Sequence, residues 1–117
     1  MQPEGGPPAE DDPEVYVERV LGLVERIPWG RATTYGAIAD AVGRGGPRQV
    51  GRTMALYGGG VPWWRVVRAD GSLPESHQGE AVAHYREEGT PLLGRLADAT
   101  SLRVDLAKAG WFPADPR

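Results

Sequence analysis

The sequence predicts a mainly α domain with a small β wing, that is, a winged helix-turn-helix fold. Three observations support this: apolar residues at helical spacing, a glycine-rich turn between two short helical segments, and a later β-branched run followed by Asp-Gly. With 117 residues the chain has room for one domain of ordinary size. Its 40% hydrophobic and 25% charged residues fit neither a fully disordered chain nor a membrane protein.

A first helix is predicted after an N-terminal segment rich in proline and glycine. Its apolar residues recur every three or four positions: Val17, Val20, Leu21, Val24 and Ile27. The helix ends at Pro28, because proline cannot continue a helix. The preceding residues 1–14 hold five acidic residues and no basic one, so we expect a disordered acidic tail there. The folded domain is expected over 15–113, and a short C-terminal tail over 114–117.

The second and third helices are predicted to form the helix-turn-helix. Thr33 or Thr34 caps the second helix, and Gly43 ends it. Its buried face holds three apolar residues: Ile38, Ala41 and Val42. A glycine-rich turn then leads to Pro47, which is well placed as the first residue of a helix that runs to about Tyr57.

The third helix has two unlike faces when it is drawn as a wheel at about 100° per residue. One face is predicted to pack on the core: Val50, Met54 and Tyr57. The other joins two arginines to two very small residues: Arg48, Arg52, Gly51 and Ala55. Small side chains let a helix backbone approach a partner closely, as a groove of about 6 Å requires. A plain amphipathic helix without such a partner fits the wheel equally well.

A wing and a C-terminal region complete the predicted fold. Val66 and Val67 indicate a strand, and Asp70-Gly71 indicates the turn of a small hairpin or wing. A fourth helix is predicted over 80–88. The remaining elements are a short helix, a strand-like piece and an aromatic anchor: 92–96, 102–106 and 111–113. Trp29 and Trp111 are predicted to be core residues.

Charge is distributed unevenly along the chain. The formal net charge is -3. The five acidic residues of the tail exceed this net charge, so the rest of the chain carries a net positive charge. Between Arg31 and Arg68, six arginines face a single acid, Asp40. Arginine suits bidentate phosphate contacts and stacking, so this segment indicates a nucleic-acid-binding surface. A solvated arginine face is the alternative interpretation.

The sequence contains no cysteine. Disulfides, thiolate metal sites, thiol nucleophiles and redox switches are therefore excluded. His77 and His84 lack an adjacent carboxylate pair and make a poor metal site. Glu87 and Glu88 point to different faces of a helix and do not form an acid/base pair. We expect no metal and no cofactor.

Three segments, in this order and spacing, resemble one family: Thr34-Tyr35-Gly36, Pro47-Arg48-Gln49-Val50-Gly51 and Pro62-Trp63-Trp64-Arg65-Val66-Val67. The resemblance is to the C-terminal DNA-binding domain of the O6-alkylguanine-DNA alkyltransferases, over about residues 15–113. In those repair enzymes the third motif reads Pro-Cys-His-Arg-Val. Here Trp63 stands at the position of the alkyl-accepting cysteine and Trp64 at that of the histidine. An indole has no nucleophile comparable to a thiolate, so the chain resembles the non-catalytic alkyltransferase-like proteins more closely.

The resemblance implies roles for individual residues. Tyr35 would crowd the target phosphate and assist rotation of the nucleotide out of the duplex, while Arg48 would fill the vacated space in the base stack. Trp63 and Trp64 would belong to the pocket for the alkylated base. The remaining DNA contacts would come from seven residues: Thr34, Gln49, Gly51, Arg52, Ala55, Arg65 and Arg68. Arg68 is also the candidate for a base-contacting arginine that some relatives carry in the wing loop.

The function that the resemblance implies is binding of duplex DNA in the minor groove and flipping of O6-alkylguanine into a pocket lined by Trp63. The protein would flag the lesion for nucleotide excision repair proteins without removing the alkyl group. The N-terminus lacks the pattern of a signal peptide, so we expect a cytoplasmic protein that is nucleoid-associated when bound to DNA. We also expect a monomer that does not contact a membrane.

Two other functions stay open from the sequence. A winged-helix transcription regulator would read undamaged DNA and bind alkylated and normal duplexes equally. A residual alkyltransferase, or a hydrolase that uses Ser72 or Ser76, has no support beyond shared ancestry of the fold.

Overall fold

The computed structural model of the protein describes residues 12–74, 77–94 and 102–113. Its helices and strands, in chain order, are α1 (Pro13–Arg26), β1 (Thr33–Thr34), α2 (Tyr35–Val42), α3 (Pro47–Tyr57), β2 (Val66–Val67), α4 (Gln78–Glu88), β3 (Leu92–Leu93), β4 (Arg103–Val104) and α5 (Leu106–Ala109). Two single 3₁₀ turns, Gly58–Gly60 and Trp63–Arg65, connect α3 to β2. The fold is mainly helical with small sheets, as predicted.

The first helix begins at Pro13, because the Asp12 side chain caps it by accepting a hydrogen bond of 2.9 Å from the backbone N–H of Glu14. The helix therefore starts two residues before the predicted start of the folded domain at residue 15. Residues 1–11 and 114–117, which hold most of the two predicted tails, lie outside the described residues. Each helix of the described ranges is too short or too polar to span a lipid bilayer.

The helix-turn-helix forms at the predicted residues. Thr34 caps α2 through a 3.0 Å bond from the N–H of Ala37 to Oγ1, and Gly43 ends it in the left-handed region at a φ of 91°. Pro47 is the first residue of α3. The three helices pack around a buried cluster that includes Val20, Val24, Ile38 and Val50.

Two predicted core residues are exposed instead. Tyr57 is 56% exposed and lines an open groove. At this end of α3 the buried residue is Gly58, which lies against Met54. Trp29 is 61% exposed, with its ring 5.6 Å from the guanidinium carbon of Arg65. Trp111 packs against the first core cluster, as predicted.

The predicted strand at Val66–Val67 exists, but it pairs in parallel with β1, with Thr33 opposite Val66 and Thr34 opposite Val67. The turn predicted at Asp70-Gly71 is present, but its flanking residues do not form a second strand, and the N–H of Val104 in β4 donates to the carbonyl oxygen of Gly71 at 2.9 Å. Backbone bonds from Gly71 to Arg68 (2.8 Å) and from Arg68 to Ser72 (2.9 Å) close that turn. This parallel pair joins the helix-turn-helix to the segment that carries the tryptophans.

The C-terminal region differs from the prediction at two elements. The short helix α5 over Leu106–Ala109 was not predicted. Leu92–Leu93 forms a strand that pairs antiparallel with β4, whereas a helix was predicted over 92–96. Residues 95 and 96 lie outside the described ranges. Together with α4 and α5 this sheet forms a second buried cluster, which includes Val67, Tyr85, Val104 and Ala109. Trp63 and Trp64 pack against it.

Replacing Gly71 by alanine is expected to destabilise the fold, because its φ is 88° and an added Cβ would lie 2.3 Å from the carbonyl oxygen of Val104. We expect a loss of more than about 2 kcal/mol, since left-handed strain of about 1–3 kcal/mol is joined by a backbone clash. Gly43→Ala is the matched control, because it adds strain at a φ of 91° in open space. Urea unfolding of both variants tests this, and equal losses would contradict the clash.

Candidate nucleic-acid interface

A cavity of about 300 Å³ opens between α3 and the segment that runs from the glycine turn to the start of α4. Its lining is mostly apolar and aromatic: Tyr35, Gly51, Met54, Ala55, Gly58, Gly59, Trp63, Leu73, Pro74, His77 and Glu80. Four residues predicted for the site therefore lie together: Tyr35, Gly51, Ala55 and Trp63. Small-molecule sites typically have such mostly apolar walls with a few polar groups.

Trp63 forms one wall of this cavity. It is half-buried and begins the 3₁₀ turn that leads into β2. Its ring meets Trp64 edge to face, with centroids 5.5 Å apart and planes at 86°, and it lies 5.3 Å from the His77 ring. Contacts on these sides fix the indole, so its remaining surface is a rigid apolar wall.

Tyr35 forms another part of the wall. It is the first residue of α2, so the cap at Thr34 fixes where its side chain begins. Burial raises the pKa of the Tyr35 phenol, and the nearby positive charge of Arg68 opposes that rise only in part. The phenol is therefore protonated at neutral pH and can donate a hydrogen bond.

The two small residues of α3 line the cavity, and the arginines of this helix lie elsewhere. An added Cβ at Gly51 would meet nothing within 4 Å, so the backbone is accessible at this point. Arg48 and Arg52 are exposed and line a wider groove of about 1010 Å³. Arg44, Gln49 and Tyr57 also line this arginine groove. Helix α3 therefore separates an apolar pocket from a basic groove.

Trp64 does not line the cavity, contrary to expectation. Its ring stacks on His84 with centroids 3.5 Å apart and planes at 4°, and its Nε1 donates a 2.8 Å hydrogen bond to Glu88 Oε2. Trp64 also packs against the second core cluster, and the guanidinium carbon of Arg65 lies 5.6 Å from its ring centroid. Trp64 therefore packs edge to face against Trp63 and does not line the pocket.

Arg65 was predicted to contact DNA, but its side chain is largely buried in an ion pair instead. Its side chain is only 11% exposed, and Nε and Nη2 donate to the two carboxylate oxygens of Glu88 at 3.0 and 2.6 Å. Nη1 donates to the backbone carbonyl of Ile27 at 2.9 Å. All three guanidinium nitrogens are hydrogen-bonded within the fold, so Arg65 has a structural role and does not belong to the interface.

Glu88 is the centre of this buried network, and its role was not predicted from the sequence. Its carboxylate is 2% exposed and accepts bonds from Arg65, from Trp64 and from the backbone N–H of Gly30 at 2.9 Å. Burial alone would raise the pKa of Glu88, but these hydrogen bonds outweigh burial and hold its pKa below the ordinary value. The partners lie 23 to 58 residues away along the chain, so no local pattern connects them.

The other predicted contact residues lie on or near the same surface. Gln49 and Arg68 are exposed, and Thr34 uses its hydroxyl as the cap of α2. Met54, Leu73, Pro74, His77 and Glu80 line the pocket but were not predicted to do so. The helical wheel assigned Met54 to the core, and His77 was considered only as a poor metal ligand. No cluster of three or more metal-ligating side chains occurs among the residues that the structure describes.

Comparisons with known proteins agree on one family. The model of the 6-O-methylguanine DNA methyltransferase DNA-binding domain matches residues 16–88. A DNA base-flipping protein of Vibrio parahaemolyticus serotype O3:K6 (strain AQ3810) is 31% identical over 61 residues, which are 50% of this chain and 61% of that protein. The match thus spans less than two thirds of this curated relative.

Two crystal structures of Schizosaccharomyces pombe (S. pombe) proteins have the same fold. Atl1 in complex with damaged DNA containing O6-carboxymethylguanine superposes with a TM-score of 0.73 at 27% identity. ATL in complex with DNA superposes with a TM-score of 0.72, also at 27% identity. Each comparison covers 86% of this chain and 97% of the other chain.

Proposed function

Because this chain belongs to the family of 6-O-methylguanine DNA methyltransferase DNA-binding domains, we propose that it recognises O6-alkylguanine in duplex DNA by flipping the base into the pocket of Trp63 and Tyr35. The observation that carries this proposal is the roughly 300 Å³ cavity beside Gly51 and Ala55, with Trp63 in its wall. Flipping costs a few kcal/mol and costs less for a poorly paired base, which favours the damaged nucleotide.

The two sides of α3 suit the two parts of this function. The small-residue face permits the backbone to approach the floor of a minor groove, and the pocket opens beside it. The exposed Arg48 and Arg52 in the arginine groove supply contacts to phosphates, and Arg48 at the start of the helix fills the space that the flipped base leaves. The similarity to a DNA base-flipping protein and to a protein bound to damaged DNA supports this proposal.

Alkyl transfer is not part of the proposal. The sequence holds no cysteine, and Trp63 stands where the repair enzymes carry their acceptor. The lesion would stay bound and unrepaired, so the chain would act by flagging it for nucleotide excision repair proteins. It would function without a cofactor.

Base flipping is tested directly with 2-aminopurine placed beside an O6-methylguanine in a short duplex. Loss of the stacked neighbour raises 2-aminopurine fluorescence, so we expect a rise when the protein binds this duplex and none with the unmodified duplex. Binding of both duplexes without a change in fluorescence would favour a winged-helix regulator of undamaged DNA instead.

Replacing Trp63 by alanine is expected to lower the preference for the lesion about tenfold, because base-aromatic stacking contributes about 1–3 kcal/mol. The measured quantity is the ratio of dissociation constants for unmodified and O6-methylguanine duplexes. Trp29→Ala is the matched control, because Trp29 is exposed and does not line the pocket. An unchanged ratio in Trp63→Ala would mean that Trp63 only packs against the core.

A further inference from the structure

The pocket walls carry fixed charge of one sign. Glu80, in the first turn of α4, is the only carboxylate among the described residues that line the cavity, and none of these residues is a lysine or arginine. Glu80 is exposed and lines the cavity, so its charge lies at the edge of the space that an alkyl group would enter. A negative group brought into this space is repelled by Glu80, and a positive group is attracted.

The aromatic walls act in the same direction. Trp63 and Tyr35 are the two large aromatic residues among the described lining of the cavity. The face of an aromatic ring is negative, and tryptophan and tyrosine attract cations at their faces more strongly than they attract neutral groups. The carboxylate and the aromatic walls are therefore two independent features that favour a positive ligand.

The positive charge of Arg68 acts on Tyr35, one of the residues that line the pocket. Arg68 itself does not line the cavity, and its side chain is exposed and directed to the carbonyl oxygen of Leu73, 3.4 Å from Nη1. Arg68 and Glu80 are both exposed, so salt screens the charge of each of them. Glu80 differs from Arg68 in that it belongs to the described lining of the cavity.

We infer that this pocket selects O6 adducts by charge, accepting neutral and cationic alkyl groups and discriminating against anionic ones such as carboxyalkyl groups. This inference rests on the proposed function, because it assumes that the flipped base enters this cavity. Glu80 is its specificity-determining residue. The substrate class is O6-alkylguanine with an uncharged or positively charged substituent.

The test uses three duplexes that differ only in the substituent at one guanine O6: n-propyl, 2-aminoethyl and carboxymethyl. These groups are similar in size and are neutral, cationic and anionic at neutral pH. We expect the carboxymethyl duplex to bind about tenfold more weakly than the 2-aminoethyl duplex at low salt, with n-propyl between them. Equal affinities of the three duplexes would overturn the inference.

Glu80→Gln identifies the source of the selectivity. The ratio of the carboxymethyl to the 2-aminoethyl dissociation constant should fall several-fold in this variant. Glu87→Gln is the matched control, because Glu87 is exposed on the same helix and does not line the cavity, and its ratio should equal that of the parent protein. A ratio that is the same in Glu80→Gln and in the parent would contradict the role of Glu80.

The failure of this inference can be told from the failure of the proposed function. An n-propyl duplex that binds no more tightly than unmodified DNA would overturn both. Lesion binding without any dependence on charge would overturn only the inference. Thermal unfolding of Glu80→Gln, compared with the parent protein, checks that a changed ratio does not come from a changed fold.

Discussion

Replacing Arg48 by alanine is expected to weaken binding of an O6-methylguanine duplex at least about thirtyfold, and binding of unmodified duplex only a few-fold. Arg48 is exposed at the start of α3, beside the helix face that carries Gly51 and Ala55. In the proposed flipped complex its side chain would replace the stacking of the absent base, a contribution of about 1–3 kcal/mol, in addition to one phosphate-type contact. Fluorescence anisotropy with the two duplexes at one salt concentration measures both effects.

Arg52→Ala is the matched control for Arg48→Ala. Arg52 lies one turn further along α3 and lines the same arginine groove. Loss of a phosphate contact should weaken binding of both duplexes to the same degree and lower the slope of log K against log salt by about one. If the two variants lose equal affinity for the lesion, Arg48 does not enter the base stack.

Replacing Glu88 by alanine is expected to cost about 3 kcal/mol or more of folding free energy, because the change leaves a buried arginine without its carboxylate. Arg65, Trp64 and the N–H of Gly30 all lose their acceptor at once. Chemical unfolding measures the loss. Glu87→Ala is the control, because Glu87 is the exposed neighbour on α4 and should change stability by less than about 0.5 kcal/mol.

The stabilising effect of Glu88 should also depend on pH with a definite sign. The pKa of Glu88 is below its ordinary value of 4.5 in the folded protein, so the carboxylate contributes stability that is fully present above that pH. This contribution is lost as the pH falls through the lowered folded pKa. The stability difference between the parent protein and Glu88→Gln should therefore shrink on acidification, and a difference that grows below pH 4.5 would contradict the assignment.

The sequence predicts the helix-turn-helix well because its signals are local. The cap at Thr34, the left-handed glycine at Gly43 and the proline at the start of α3 each act within a few residues. The same local character explains why the small-residue face of α3 could be identified from a helical wheel. Gly51 and Ala55 line the cavity as that face would require.

The parts that the sequence did not predict depend on contacts between distant segments. Arg65 is chemically as suitable for DNA as Arg48, and only the approach of α4 places Glu88 against it. Trp64 is removed from the pocket for the same reason, because its partners His84 and Glu88 both belong to α4. The parallel pairing of β1 with β2 is likewise non-local, whereas Asp70-Gly71 suggested a local hairpin.

The central claim, recognition of O6-alkylguanine without repair, is tested most directly by one paired titration. The protein is titrated into a duplex with a single O6-methylguanine and into its unmodified twin at the same stated salt concentration, and the bound oligonucleotide is then analysed by mass for its methyl group. We predict binding of the methylated duplex at least about tenfold tighter, a difference of about 1.4 kcal/mol, with the methyl group fully retained. Equal affinity for the two duplexes would contradict lesion recognition, and loss of the methyl group would contradict recognition without repair.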